Sequence, residues 1–160
     1  MTQTETLDDI ADLVGVFEDV ARSFDDITYE PILVALSPKL QELHKTYFES
    51  QTDPAGAKWK PLAPSTIARK GHDRILWETS ALEQSLVTVT GDSVRDVIAE
   101  GFQEWLIWGT SVEYAMYHQE PGPTSRLPQR KHVGVTAEFI EELQLEVTEH
   151  TIKELRKNDN

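Results

Sequence analysis

The sequence predicts an α+β fold in which an antiparallel sheet of three to four strands packs against long N-terminal and C-terminal helices. Three observations carry that expectation. Apolar residues recur every three or four positions through the first fifty residues, β-branched and aromatic residues gather between Ser85 and Trp108, and an amphipathic pattern returns from Thr136 onward. At 160 residues the chain is expected to form a single domain over 1–160, since domains most often run to roughly 100–150 residues.

The first helix is signalled by Thr6 with Asp9 three residues on, followed by Ile10, Leu13, Val14, Phe17 and Phe24 on one stripe. It is expected near residues 7–23, as an acidic N-terminal helix within 1–28. After Asp25 and Asp26, the residues Ile32, Leu33, Leu36, Leu40, Leu43, Tyr47 and Phe48 make the strongest periodicity in the chain and predict a helix over 30–51. Pro38 lacks an N–H, so this helix either kinks there or restarts with Ser37 as its cap.

Asp53, Pro54, Gly56, Pro61 and Pro64 make residues 52–64 irregular, yet Trp59 and Leu62 among them predict a pinned loop. Ser65 and Thr66 can cap a short helix ending at Lys70, and Thr79 or Ser80 another through Ala81, Leu82 and Leu86. Val87-Thr88-Val89, Val94 to Ala99 and Trp105 to Trp108, separated by Gly91-Asp92 and Gly101, read as a three-stranded antiparallel meander. Alternation in its last strand places Trp105 and Ile107 on one face and Leu106 and Trp108 on the other. One face is expected to pack on helices and the other to meet a partner.

Residues 119–132 hold Gln119, Pro121, Gly122, Pro123, Pro128, Arg126, Arg130 and Lys131 and are expected to form an extended loop or arm. Thr136 then caps an amphipathic helix through Phe139, Ile140, Leu143, Val147 and Leu155 to about Lys157, with Glu138, Glu142, Glu146 and Glu149 on a solvated face.

The net charge is −13, from 15 Lys plus Arg against 28 Asp plus Glu, which disfavours a broad phosphate-binding surface. The charge is uneven. Residues 1–53 carry 12 acids and three bases, whereas residues 54–80 carry two acids and five bases. An acidic face and a basic loop on one chain suit contacts with other copies or with charged neighbours. The same balance leaves a second reading open, an acidic interaction protein or DNA mimic that binds a basic host protein.

Catalytic chemistry finds little footing. Cysteine is absent, which removes disulfides, thiolate zinc sites and a cysteine nucleophile. Ser65, Ser80 and Ser111 lie outside any Gly-x-Ser-x-Gly elbow. His72 with Asp73, and His118 at a distance, are the residues a metal-dependent hydrolase would use, and no second histidine stands at ligand spacing. No cofactor is expected. The acidic start and the lack of a run approaching the roughly 18 apolar residues of a membrane span predict a chain without leader or membrane contact.

Two segments are read together: Asp53-Pro54-Ala55-Gly56-Ala57-Lys58-Trp59-Lys60-Pro61-Leu62 and Gly109-Thr110-Ser111-Val112-Glu113-Tyr114-Ala115-Met116-Tyr117-His118-Gln119. With Phe48, Gln51, Thr66, Lys70, Ile75, Leu76, Thr79, Leu82, Leu127-Pro128, Arg130 and Gly134 in order, they resemble the phage virion morphogenesis or tail completion family. Ser80 departs from the family pattern, which commonly has Gly there, and Glu120-Pro121-Gly122 departs in spacing. The resemblance runs from Phe48 to Gly134 and implies a non-enzymatic component of a tailed phage. That component completes the tail or joins it to the head as a hexameric or larger ring around the DNA channel, touching neck, connector or tail-tube proteins. It would act in the virion after assembly in the host cytoplasm. On that reading Lys58, Trp59, Lys60, Arg69, Lys70, Arg126, Arg130 and Lys131 are the expected subunit or partner contacts.

Overall fold

Helix α1 (Glu30–Ser50) is the spine of the computed structural model, which describes Phe24, residues 27–100 and residues 103–158. The first helix expected near 7–23 lies outside the described residues. Ile32, Leu36, Leu40, His44, Tyr47 and Phe48 are buried and form one stripe along α1, the placement a 3.6-residue repeat requires. The helix runs through Pro38 without a restart. The carbonyl of Val34, which Pro38 cannot serve, belongs to an exposed residue, so water can satisfy it.

Two short helices follow, α2 (Pro64–Lys70) and α3 (Ala81–Val87), and then the strands β1 (Ser93–Glu100) and β2 (Gln103–Thr110). The strands pair antiparallel from Ser93↔Thr110 to Glu100↔Gln103. Among the described residues the sheet has only these two strands, so the expectation of three to four is corrected. Val87-Thr88-Val89, the segment read as an extra strand, forms none: Val87 is the last residue of α3, Thr88 caps it, and Val89 lies beyond it, exposed. Leu82 and Leu86, one helical turn apart, are fully buried, and both the Thr88 N–H (2.9 Å) and its hydroxyl (2.8 Å) donate to the Gln84 carbonyl. Core packing at helical spacing therefore overrides the β propensity of Val87.

The inner face of the hairpin lies on the helices. Arg95 donates from Nη2 to the carbonyls of Ser85 (3.2 Å) and Leu86 (3.0 Å), satisfying the open end of α3. Its guanidinium also stacks 4.0 Å from the Trp108 ring centre. Near the other end of the hairpin, the Glu104 carboxylate accepts from the Tyr29 N–H (2.7 Å) and the Thr28 hydroxyl (2.8 Å). It thus places negative charge at the N-terminus of α1, where the helix dipole favours it.

Helix α4 (Ala115–Gln119) and the long α5 (Ala137–Asn158) complete the fold, with no helix or strand over 120–136. The Phe139 N–H bonds to the Thr136 hydroxyl at 3.1 Å, the expected cap. Tyr29 meets Thr151, Lys39 meets Glu142 and Glu146, and Tyr47 meets Gly134. These contacts move backward along α5 and the residues preceding it as α1 advances, so the two helices run antiparallel. The core closes where Tyr47, Phe48, Trp59, Ile75, Leu82, Leu86 and Ala115 meet, with Trp108, Val112 and Val133 around them.

Candidate functional site

The residues that carry the sequence motifs converge on one feature, a clasp between the loop after α1 and the chain that leads into α5. The loop begins where Gln51 takes a left-handed conformation (φ 54°) and returns its N–H to the Tyr47 carbonyl, a common helix ending. Asp53 then organises the turn: its Oδ1 accepts from the Ala55 N–H at 2.9 Å and the Ala57 N–H at 2.8 Å. Its self-bonding is the reason Asp favours such turns. The chain comes back as Thr52 pairs with Lys58 and the Trp59 N–H reaches the Gln51 carbonyl at 2.9 Å.

Trp59 is thereby driven inward. Its ring is 4% exposed and meets Phe48 edge-on at 5.6 Å, a favourable aromatic geometry. The indole N–H donates to the Lys131 carbonyl at 2.9 Å, so a residue of the first loop is bonded to the second. Arg130 works in the opposite direction. It is 5% exposed, and its Nε (3.0 Å) and Nη2 (2.8 Å) donate to the Lys60 carbonyl, with Pro61 at 3.3 Å. Burial lowers the pKa of this guanidinium, yet arginine retains its charge in proteins, so the hydrogen bonds are charge-assisted.

Gln119 supplies the third tie. Its Oε1 accepts from the N–H groups of His132 (2.9 Å) and Val133 (3.1 Å), and its Nε2 donates to the Val133 carbonyl at 2.8 Å. A side-chain amide thus takes the place of a neighbouring strand. Gly134 fits because a Cβ there would lie 2.8 Å from Pro54 Cγ. Tyr47 seals this edge by donating to the Gly134 carbonyl at 3.4 Å; burial first, then Asp53 and Glu138, push its phenol up to about 12, so it remains a donor.

The eight expected contact residues therefore divide. Trp59 and Arg130 are interior and engage partners within their own chain. Lys58, Lys60, Arg69, Arg126 and Lys131 are exposed and Lys70 is half-buried. Lys58 donates to the Ser50 carbonyl, Lys70 to the Arg74 carbonyl, and Arg69 pairs with Glu78. The side chains of Lys60, Arg126 and Lys131 end in no ion pair among the described residues. The clasp thus holds a fixed backbone from which uncommitted cations project.

Two histidines that no sequence motif singles out, His44 and His132, lie in the interior. His44 (1% exposed) and His132 (0%) are buried, each with Nδ1 against a backbone carbonyl, Leu40 at 2.6 Å and Arg130 at 3.0 Å. Burial lowers the pKa of both and of His118, keeping the rings neutral. A signal for His44 was present, since it continues the spacing of Leu36 and Leu40. His72 stacks edge-on with Trp77 at 4.9 Å. Among the described residues no group of three or more His, Asp or Glu is placed to hold a metal ion, so His72, Asp73 and His118 do not assemble a hydrolase centre.

A family model described as the phage virion morphogenesis family covers residues 8–153. No curated protein and no solved structure matches the chain.

Proposed function

The chain belongs to the phage virion morphogenesis family, and from that premise we propose that it completes the tail and joins it to the head, as a ring of several copies around the DNA channel. The family's role is structural, so the chain is a virion-building protein and not an enzyme. The finer reading rests on the clasp. The motif residues Trp59, Gln119, Arg130 and Gly134 spend their chemistry inside the subunit, making a rigid mount for Lys58, Lys60, Arg69, Lys70, Arg126 and Lys131. A mount of this kind suits contacts with neighbouring copies and with neck, connector or tail-tube proteins, because preorganised surfaces lose less entropy on binding.

The net charge of −13 supports a further part of the proposal, an acidic lumen that lets DNA pass without adhering. The test is complementation of a phage lacking this gene. Heads and tails are expected to accumulate separately and to join when the wild-type chain is supplied, but not when Lys60→Glu, Arg126→Glu and Lys131→Glu are combined. Joined, infectious particles without the chain would overturn the proposal.

A further inference from the structure

Helix α1 is apolar on a second side. Opposite its buried stripe, Pro31, Val34, Ala35 and Pro38 recur at helical spacing and are exposed, Val34 at 55%. A helix apolar on two sides is built to be covered on two sides. The second stripe borders a groove of about 360 Å³, lined by Pro31, Ile32 and Ala35 from α1 and by Glu146, Glu149, His150 and Lys153 from α5. Leu145 (66% exposed) and Ile152 (44%) flank Glu149 at helical spacing and carry the apolar surface onto α5. The rim holds both signs of charge. Glu146 is engaged by Lys39, His150 Nε2 donates to the Thr28 carbonyl at 2.8 Å, and Glu149 and Lys153 are exposed and opposite in sign. Apolar fit, not charge, therefore selects the occupant.

The chain itself brings a matching segment to the mouth of this groove. Ile27 is buried, and Thr28 and Tyr29 are held to α5, the first by His150 and the second by the Thr151 hydroxyl at 3.0 Å. Phe24 is helical and 47% exposed, and its carbonyl accepts from the Ile27 N–H at 3.2 Å. Residues 25–29 alone separate it from α1, a connection of the length that joins antiparallel helices in a hairpin. Upstream, Ile10, Leu13, Val14, Phe17 and Ala21 share one helical stripe with Phe24. A helix over 7–23 would be roughly 25 Å long, against about 10 Å from Pro31 to Pro38. It is long enough to cover the whole stripe.

We propose that residues 7–23 dock as an amphipathic helix on the α1–α5 groove of their own chain, antiparallel to α1. Their apolar stripe lies on Pro31, Val34, Ala35 and Pro38. The short connection through residues 25–29 is what selects the chain's own groove over a neighbour's. Asp8, Asp12 and Asp19 fall on the side opposite the stripe and stay in solvent, so the docked segment turns an apolar groove into an acidic outer face. The proposal does not depend on the ring reading.

The chain contains no cysteine, so an introduced thiol reports without background. Ala35→Cys in the groove and Glu49→Cys on the same helix both alter exposed side chains, and wild-type urea unfolding checks that each variant folds. In the full-length chain a maleimide should alkylate the Ala35→Cys thiol at least roughly tenfold more slowly than the Glu49→Cys thiol, because a covered thiol reacts only when the contact opens. The rate should not change on dilution. Adding Leu13→Asp and Phe17→Asp should bring the two rates together while the His132 amide stays protected from hydrogen exchange. Phe17→Ala, which removes packing without burying charge, should give a smaller rise in the same direction if the Asp pair does not fold. Equal rates in the chain without the N-terminal substitutions would overturn the proposal. Protection that is lost on dilution would overturn it in favour of cover by a second copy. Protection that Phe17→Ala leaves unmoved would overturn it as well, since another part of the chain would then cover the groove.

Discussion

Removing the Arg130 side chain should open the clasp while sparing the rest of the core. Arg130 is 5% exposed and makes charge-assisted bonds to the Lys60 carbonyl at 2.8 and 3.0 Å, with Pro61 at 3.3 Å. A hydrogen bond to a charged group is worth about 1.5–3 kcal/mol, and a stranded buried acceptor costs about 1–3 kcal/mol. Arg130→Ala also frees a buried charge from its desolvation cost, so the net loss should be about 2–4 kcal/mol, not the full sum. For a domain of this size that corresponds to a fall in Tm of roughly 5–15 °C. Urea unfolding followed by tryptophan fluorescence measures it, and hydrogen exchange at the His132 and Val133 amides shows where the loss falls. Arg130→Lys, which keeps the charge but offers one point of contact, should retain part of the difference. Unchanged unfolding of Arg130→Ala, within about 0.5 kcal/mol, would refute the reading of Arg130 as a bolt.

Other substitutions probe the same account. Ser80 holds φ 60°, and the left-handed region costs a non-glycine residue about 1–2 kcal/mol. Ser80→Gly should therefore leave thermal stability unchanged or raised, while Ser80→Val should lower it clearly. Gly134→Ala places a Cβ 2.8 Å from the rigid ring of Pro54 and should cost about 1–3 kcal/mol by calorimetry. Stability should also fall with acid. Burial lowers the folded pKa of His44, His132 and His118 below the unfolded value, so their contribution is present above about pH 6.5 and is lost below it. Between pH 7.5 and 5.5 stability should therefore fall, with fully buried His44 and His132 contributing more to the fall than half-exposed His118. A His44→Gln, His132→Gln variant should show a flatter dependence; an equal slope in its urea midpoints would count against buried neutral rings.

Much of the helical framework was legible because its signals are local. The apolar stripe from Ile32 to Phe48 predicted residues 30–51, and α1 spans Glu30–Ser50; Thr136 was read as a cap and serves as one. The third strand was misread because Val87 satisfies strand propensity and a buried helical turn equally well, and only the pocket receiving Leu82 and Leu86 decides between them. The motif residues were legible as a set but not in their roles. Nothing local distinguishes Arg130, which points inward to the carbonyls of Lys60 and Pro61, from Arg126, which is exposed, because the deciding partners lie some seventy residues away. The departure at Ser80 becomes intelligible through its φ, since a left-handed position is one that glycine occupies at little cost. On α5 the carboxylates Glu142 and Glu146 are more than a solvated face: both engage Lys39 of α1.

The central claim, that copies of this chain form a ring at the junction of head and tail, is tested most directly by cryo-electron microscopy of the intact virion at subunit resolution. The account predicts a closed ring of this fold at the head-proximal end of the tail. Virions in which the chain is absent from the neck, or present there as isolated copies without mutual contact, would contradict it.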